Sequence, residues 1–465
     1  MFYGLPATLQ GLISTLLWAT TPPNSTPAIT FQLRHQHAAL NDSRVVFANI
    51  HPSASFGADE TEFTVQSAQA RIPRPSSHEE FLSARWNQEP GATPSVQWDD
   101  WEVQTPDVTK RSTLLQLGKM ALNTYAADNK VPTEWYGLDD EWDSFPHGWE
   151  PDADGLRGHI FVSSDNSTVV IAIKGTSAGW LVGGGGPTVG KDKKNDNLLF
   201  SCCCARVGPT WSTVCGCYES GYRCDTDCVE EALQDEGLFY PIGLNLYNNV
   251  SYMYPHANIW LTGHSLGGGL SALIGATFGA PVVTFEAVAE RLASQRLHLP
   301  PPPSTKHITH VYNTADPIPM GTCTGVTSSC ALVGFALETR CHTGQVIQYD
   351  TVSKLGWSVN IQNHAIKVVV DRLLADDGDW KPEFNGEDEE EKEKGFFSSL
   401  GWGWRRKQPE GGDEGSGKKM REVPLARPAN EVEGIDGVCT DCYNWEFGKY
   451  RNLTSARSTA NGGCH

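Results

Sequence analysis

The chain has 465 residues, of which 13 are cysteines, and a formal net charge of −19 with an isoelectric point of about 5.1. This length is enough for one large α/β domain with appendages. The acidic balance argues against a nucleic-acid ligand, since nucleic acids bind to basic surfaces. It also opposes long-range attraction to an anionic membrane, so a lipid contact should be apolar or use a local basic patch.

Residues 1–21 are predicted to be a signal anchor or a signal peptide. The apolar run Gly11–Ala19 ends just before Pro22, and no charged side chain precedes Arg34. The run is short for a membrane-spanning helix, yet it lacks the basic start of a signal peptide. Both alternatives stay open, and both place the rest of the chain in a lumen. Residues 22–109 are expected to form short strands and loops that lead into the core domain.

The cysteines and five N-x-S/T sequons indicate an oxidising, luminal or secreted setting with disulfides. The alternative is a zinc site built from the pairs Cys215/Cys217 and Cys439/Cys442. An odd number of cysteines leaves at least one thiol unpaired within a monomer, and the sequence does not give the pairing. The candidate glycosylation sites are Asn24, Asn41, Asn166, Asn249 and Asn452.

Apolar residues at helical spacing predict an early helix over Leu114–Ala127. Alternating β-branched residues then predict two strands, His159–Ser163 and Val169–Lys174, joined by a turn. The second strand runs into Gly175 and Thr176. Hydrolases with a nucleophile elbow place an oxyanion donor on the loop after such a strand, so the backbone N–H of Thr176 is a candidate donor.

The cysteine-rich insertion Gly179–Cys228 is a candidate lid or lipid-contact region. It combines the glycine run Gly183–Gly186, three lysines at positions 191, 193 and 194, and the apolar triplet Leu198–Phe200. An apolar triplet beside a basic patch suits a lipid surface with anionic headgroups. The alternative is a disulfide-stapled surface loop with solvated lysines. A long helix over Val229–Met253, broken near Pro241, is predicted next.

The most informative stretch is Ile259–Gly275, I-W-L-T-G-H-S-L-G-G-G-L-S-A-L-I-G. An apolar run, a glycine-flanked serine and a series of small residues predict the strand, sharp turn and helix of a nucleophile elbow. Helix-end N–H groups favour developing negative charge at the turn. Ser265 is therefore the predicted nucleophile, and the N–H of Leu266 is the other predicted oxyanion donor. The alternative is a glycine-rich turn that carries a solvent-exposed serine.

A serine nucleophile needs a base, and the base needs an orienting carboxylate. On elbow hydrolases the chain order is serine, acid, histidine. Asp316 follows the predicted strand Ile308–Tyr312 and is the first well-placed acid. His364 is favoured as the base because it lies in a loop just before a helical run, whereas the alternative, His342, adjoins a cysteine. This chemistry requires no metal or organic cofactor.

These motifs resemble the class 3 lipase family, which is similar to fungal triacylglycerol lipases, and above all its autophagy-related vacuolar branch. The resemblance implies an α/β-hydrolase fold of the α/β class and catalytic roles for Ser265, Asp316 and His364. The stretches that carry it are D-N-L-L-F-S-C-C-C-A-R-V (Asp196–Val207), T-G-H-S-L-G-G (Thr262–Gly268), Y-N-T-A-D-P-I-P-M-G-T-C (Tyr312–Cys323) and C-T-D-C-Y-N-W-E-F-G (Cys439–Gly448).

The resemblance also implies a cellular setting and partners. A member of this family is expected to be a single-pass type II membrane glycoprotein that passes through the ER and the Golgi to endosomes or multivesicular bodies and the vacuole lumen. There it would hydrolyse membrane lipids and lyse autophagic bodies and other intravacuolar vesicles. Binding to the membrane surface, and to phosphoinositides, is implied as well.

The remaining domain boundaries are predicted from the composition of the chain. Residues 110–375 are predicted to form the lipase domain, 376–435 a disordered acidic insert, and 436–465 a cysteine-containing C-terminal segment. The unbroken acidic run Glu387–Glu391 lies within the insert, which has too little apolar surface to fold. Two other functions stay open: a secreted neutral triacylglycerol lipase or esterase, and a lipid-binding glycoprotein with an inactive elbow.

Overall fold

The computed structural model describes residues 27–40, 43–50, 62–86, 96–125, 135–136, 155–176, 189–208, 211–375 and 422–450. Several sequence predictions fall on residues outside these ranges: the anchor or signal segment 1–21, three of the sequons (Asn24, Asn41 and Asn452), the glycine run Gly183–Gly186 and the acidic run Glu387–Glu391. In the part of the chain that is described, no helix is long and apolar enough to cross a membrane.

The described residues form fourteen strands, most of them in one large mixed sheet. The strands are β1 (Ala28–Ala39), β2 (Val45–Asn49), β3 (Glu62–Pro75), β4 (Trp98–Pro106), β5 (Trp135–Tyr136), β6 (Arg157–Ser163), β7 (Thr168–Ile173), β8 (Arg223–Asp225), β9 (Asn258–His264), β10 (Val282–Phe285), β11 (Ile308–Asn313), β12 (Gln345–Tyr349), β13 (Arg427–Pro428) and β14 (Glu446–Gly448). The large sheet has twelve strands in the order β13-β12-β11-β10-β9-β7-β6-β1-β2-β5, with β3 on β1 and β4 on β3. The neighbours β7, β9, β10, β11 and β12 are parallel, as in an α/β fold. A second, small sheet pairs β14 with β8.

Helices cover both faces of the sheet, and successive residues of a central strand supply the two cores. Along β7, Val169 and Ile171 enter one apolar core and Val170 enters the other, as the two-residue period of a strand requires. The helices are His78–Trp86, Arg111–Asn123, Val189–Leu199, Thr226–Ala232, Phe239–Met253, Leu266–Phe278, Arg291–Arg296, Ser329–Leu332, Thr351–Leu355 and Ala429–Glu433, with the short turns Ile361–His364, Ile366–Val368 and Val369–Leu374. The predicted α/β-hydrolase fold is confirmed.

The N-terminal region is more regular than the sequence predicts. We expected short strands and loops, but β1 has 12 residues and β3 has 14. Strand β1 lies beside β6 and pairs antiparallel with it, so the region extends the central sheet. Strand β3 includes Pro73 and ends at Pro75, and both prolines lie opposite residues of β4.

The predicted helix over Val229–Met253 is broken at a different place. One helix ends at Ala232 and the next begins at Phe239, so the break precedes Pro241. Proline is compatible with the first turn of a helix, because the N–H groups there have no partner within the helix. Pro241 therefore lies near the start of a helix rather than at a break.

The apolar triplet of the predicted lipid-contact region does not face outward. Leu198, Leu199 and Phe200 are all buried in the main core, so the prediction of a lipid contact at these three residues is wrong. Leu198 and Leu199 end the helix Val189–Leu199, and Phe200 follows it, whereas the lysines at positions 191, 193 and 194 of the helix are less buried. A helix whose C-terminal end is buried in the core therefore accounts for the apolar triplet beside the lysines, and no membrane contact is needed.

Disulfides account for the cysteines, and the zinc alternative is wrong. All four cysteines of the proposed zinc site are bonded to other cysteines. The six bonds are Cys202–Cys442, Cys203–Cys224, Cys204–Cys215, Cys217–Cys228, Cys323–Cys330 and Cys341–Cys439. The thirteenth cysteine, Cys464, lies outside the described residues.

Part of the predicted disordered insert is folded. Residues 422–435 include β13 and the helix Ala429–Glu433, and β13 pairs with β12. Ala429 packs against Tyr312 and Val346 of the central sheet. The prediction of disorder is wrong for these residues because their apolar partners lie in a distant part of the chain.

Four buried histidines make the fold sensitive to acid. Burial lowers the pKa of His37 and His159 to about 3, and that of His35 and His307 to about 4, from an ordinary 6.5. As the pH falls, these four imidazoles are therefore protonated in the unfolded chain at a higher pH than in the folded protein. The free energy of unfolding is thus unaffected by them above about pH 6.5 and decreases as the pH falls towards the folded-state values.

We expect His159→Gln to reduce this acid sensitivity. Glutamine does not titrate, so the loss of unfolding free energy between about pH 7 and pH 4.5 should shrink by up to about 2.7 kcal/mol. The measurement is chemical denaturation at the two pH values, with the exposed His256→Gln as a matched control. An identical loss in wild type and His159→Gln would contradict the role of the buried imidazole.

Candidate active site

Ser265 lies in the sharp turn between β9 and the elbow helix Leu266–Phe278. Its backbone has φ 57° and ψ −127°, a strained conformation for a non-glycine residue. The turn is tight because a Cβ at Gly263 would lie 2.4 Å from the carbonyl oxygen of Gly267. The predicted elbow is therefore present, and it holds the Ser265 hydroxyl at the N-terminus of a helix.

The three predicted triad residues meet at the ends of the parallel strands. His364 Nε2 lies 2.8 Å from Ser265 Oγ, and His364 Nδ1 lies 2.6 Å from Asp316 Oδ2. The other carboxylate oxygen of Asp316 accepts the backbone N–H of Ile318 at 2.9 Å. Ser265 is 5% exposed, whereas His364 and Asp316 are fully buried. A proton can pass from the serine to an imidazole that a buried carboxylate orients.

The two predicted oxyanion donors flank this serine. Leu266 is the first residue of the elbow helix, where a backbone N–H has no acceptor one turn earlier. On the other side, a Cβ at Gly175 would lie 3.1 Å from the Cβ of Ser265, so the loop that carries Thr176 passes next to the predicted nucleophile.

Asp196 is a buried partner of this loop that the sequence prediction missed. Thr176 Oγ1 donates to Asp196 Oδ2 at 2.5 Å. Burial raises the pKa of Asp196 well above its ordinary value, and the hydrogen bond from Thr176 opposes that rise. The bond fixes the Thr176 side chain and thereby the loop beside the nucleophile. The only available signal was that Asp196 begins the D-N-L-L-F stretch quoted above.

His264 is hydrogen-bonded to the loop of the predicted base. Its Nε2 donates to the backbone oxygen of His364 at 2.7 Å, and its Nδ1 lies 2.6 Å from the hydroxyl of Tyr125. Burial, together with the nearby His364, lowers the pKa of His264 well below 6.5, so the ring is neutral. A neutral ring that donates from Nε2 must accept at Nδ1, so Tyr125 is the donor.

We expect Tyr125→Phe to lower the free energy of unfolding by about 1–3 kcal/mol, because it leaves a buried ring nitrogen of His264 without a partner. The hydrolysis rate should fall much less, since the bond from His264 to the His364 backbone stays. The measurements are chemical denaturation and ester hydrolysis, with the exposed Tyr252→Phe as control. Equal stability of Tyr125→Phe and Tyr252→Phe would contradict the role of the Tyr125 hydroxyl as the hydrogen-bond donor to His264.

His342, the alternative base, lies in a separate buried network. Its Nδ1 lies 2.6 Å from Glu433 Oε1 and its Nε2 lies 3.0 Å from the Ala287 oxygen. Burial alone would lower the pKa of His342, but Glu433, together with Glu290 and the backbone oxygen of Ala287, raises it to about 9. His342 therefore has an acceptor at each ring nitrogen and a raised pKa. Its ring is an imidazolium, and neither nitrogen has a lone pair free to take a proton. His342 shares its buried cluster with Glu290 and with His310, whose Nε2 lies 3.5 Å from a Glu290 carboxylate oxygen.

Two of the candidate glycosylation sites lie in the described residues. Asn166 is exposed in the turn between β6 and β7, where its φ is 58°. Asn249 is half-buried on the helix Phe239–Met253. The exposed turn gives the better access for a glycan, and modification of either asparagine stays a prediction.

Comparisons with known proteins give many relatives and distant structural neighbours, while no family model matches the chain. A protein of Cryptococcus neoformans var. neoformans serotype D, named "Putative lipase ATG15", is 48% identical over 386 residues, covering 77% of this chain and 72% of that protein. A protein of Mycosarcoma maydis with the same name is 40% identical over 479 residues, covering 96% and 90%.

Solved structures resemble the chain only weakly. A triacylglycerol lipase from Penicillium expansum is 14% identical, with a TM-score of 0.27, and the match covers 53% of this chain and 81% of that one. The Rhizomucor miehei lipase in complex with its propeptide is 12% identical, with a TM-score of 0.26, over 63% and 93% of the two chains.

Proposed function

Since this chain belongs to the ATG15 lipase family, we propose that it hydrolyses carboxylic esters of membrane lipids through Ser265, His364 and Asp316. It is an enzyme, a carboxylic ester hydrolase of the lipase class. The observation that carries the assignment of roles is the unbroken series of hydrogen bonds from Ser265 Oγ through both ring nitrogens of His364 to Asp316.

In the first half of the reaction Ser265 forms an ester with the fatty acid. As Oγ attacks the acyl carbonyl carbon, its proton passes to His364 Nε2, and Asp316 stabilises the resulting imidazolium. The backbone N–H groups of Leu266 and Thr176 hold the oxyanion of the tetrahedral intermediate. When the intermediate collapses, the alcohol leaves with the proton from His364.

The second half uses water as the nucleophile. His364 takes a proton from the water as it attacks the acyl-serine carbonyl, and the same two N–H groups hold the new oxyanion. Collapse breaks the bond to Ser265 Oγ, which regains the proton from His364. The products are the free fatty acid and the original enzyme.

The proposed setting is the endomembrane lumen, with delivery through the ER, the Golgi and endosomes or multivesicular bodies to the vacuole. Six disulfides and the exposed sequon at Asn166 support an oxidising route. The substrates there would be the membranes of autophagic bodies and other intravacuolar vesicles, and phosphoinositide binding is part of the same proposal. The type II anchor and the domain limits 110–375 and 436–465 stay predictions.

The test compares full-length protein with Ser265→Ala on phosphatidylserine vesicles and on triacylglycerol emulsions, at about pH 5 and about pH 7. We expect fatty-acid release from the vesicles by wild type and by the control Ser294→Ala, on the helix Arg291–Arg296, but not by Ser265→Ala. Release by Ser265→Ala would contradict the nucleophile. Release from triacylglycerol alone would contradict the membrane substrate and favour a storage-lipid lipase.

A further inference from the structure

Glu286 lies behind the acid of the triad, at the end of β10. It is fully buried, and its backbone has φ 44°, the left-handed region that a side chain of this size rarely adopts. Its carboxyl accepts the backbone N–H of Asn313 at 3.1 Å and the side-chain N–H of Asn313 at 2.8 Å. It also makes a side-chain hydrogen bond with Asp316.

Two carboxyl groups in hydrogen-bond contact and fully out of water cannot both be ionised, so the pair shares one proton. Both oxygens of Asp316 already act as acceptors, one towards the N–H of His364 at 2.6 Å and the other towards the N–H of Ile318 at 2.9 Å. The proton therefore resides on Glu286, whose O–H donates to Asp316.

The charges around Glu286 agree with this placement. Burial and the neighbouring Asp316 raise the pKa of Glu286 well above its ordinary value, although the N–H groups of Asn313 pull the other way. Among the described residues, the Tyr312 hydroxyl interacts electrostatically with Glu286, and His364 lies on the far side of Asp316.

Asn313 also connects Glu286 to the loop of the base. Its side-chain N–H lies 3.3 Å from the backbone oxygen of Asn363, the residue before His364, and its side-chain oxygen accepts the N–H of Ala315 at 3.0 Å. Glu286 and the loops that carry Asp316 and His364 are therefore linked through one amide.

We propose that Glu286 is a positioning residue for the hydrolysis: its neutral carboxyl donates to Asp316 and holds that carboxylate in line with His364. This inference rests on the proposed function of the triad and extends it by a fourth side chain. It also explains why a buried carboxyl stands on a left-handed backbone where glycine would be unstrained.

Glu286→Gln and Glu286→Gly test the proposal in the full-length protein. Glutamine has an N–H for Asp316 and an oxygen for Asn313, so its kcat should stay within about threefold of wild type, with the same acid limb in the pH–rate profile. Glycine suits the backbone but removes the donor, so kcat should fall about 100-fold at unchanged KM. Its acid limb should move to higher pH, because Asp316 without the donor holds the proton on His364 more tightly.

Two results would overturn the proposal. One is a Glu286→Gly enzyme with the kcat and pH profile of wild type, and the other is a Glu286→Gln enzyme as slow as Glu286→Gly. If the glycine variant does not fold, Glu286→Ala takes its place, and loss of activity in Glu286→Gln alone still decides against the proposal. Ser265→Ala is measured in parallel: its full activity would contradict the triad itself, whereas its inactivity beside an unaffected Glu286→Gly contradicts only the role of Glu286.

Discussion

Asp316→Asn protein should fold normally and hydrolyse esters about 10⁴-fold more slowly than wild type. In the wild type, Asp316 accepts the proton on His364 Nδ1, which leaves Nε2 free to take the proton of Ser265. Asparagine has nearly the same shape, and its oxygen can still accept the N–H of Ile318. Its amide N–H then faces Nδ1, so the imidazole proton moves to Nε2 and His364 no longer serves as the base.

The measurements are kcat with a soluble ester, labelling by a fluorophosphonate, and thermal unfolding. Asp371→Asn is the matched control, because Asp371 is exposed and pairs with Lys367 on its own helical turn. Ser265→Ala sets the lower limit, at about 10⁶-fold below wild type. An Asp316→Asn enzyme that keeps more than about a tenth of the wild-type rate would show that Asp316 does not fix the tautomer of His364.

The catalytic segment could be predicted from the sequence because its information is local. The elbow needs an apolar strand, small residues beside the serine and an apolar helix, and Ile259–Gly275 contains all three in order. The acid and the base follow at strand ends in the order that elbow hydrolases use. Asp316 and His364 could therefore be chosen without knowing their distance from Ser265.

Contacts between distant segments could not be predicted in the same way. Cys202 pairs with Cys442 across 240 residues, and a list of cysteines does not contain that pairing. The roles of Asp196 and Glu286 could not be assigned from the sequence, because a buried acid and a solvated acid look alike until the fold places Thr176 or Asp316 beside them.

Predictions from a short sequence pattern were also wrong where the same pattern fits two different structures. Pro241 suggested a break, but the first turn of a helix tolerates proline, and the chain used it there. Leu198–Phe200 beside lysines suggested a lipid surface, yet the same pattern fits a helix whose last turn is buried. Composition does not distinguish these cases, because burial depends on what packs against the segment.

Gly267→Ala should prevent normal folding, because the elbow leaves no space for a methyl group. A Cβ at position 267 would lie 2.2 Å from the carbonyl oxygen of Ile173 and 2.8 Å from the carbonyl carbon of Lys174. Both atoms belong to the backbone, so no side chain can rotate away, and the elbow helix would have to move off β7. Such overpacking should cost about 3 kcal/mol or more of unfolding free energy.

The matched control for this change is Gly190→Ala, since a Cβ at position 190 meets no atom within 4 Å and alanine favours a helix over glycine. Soluble yield, thermal unfolding and fluorophosphonate labelling should be lost in Gly267→Ala and kept, or slightly raised, in Gly190→Ala. A Gly267→Ala protein with the wild-type unfolding midpoint and normal labelling would mean that the elbow helix can shift away from β7 without losing the active serine. The same displacement would carry the N–H of Leu266 away from Thr176, so a variant that folds after such a shift should still lose ester hydrolysis.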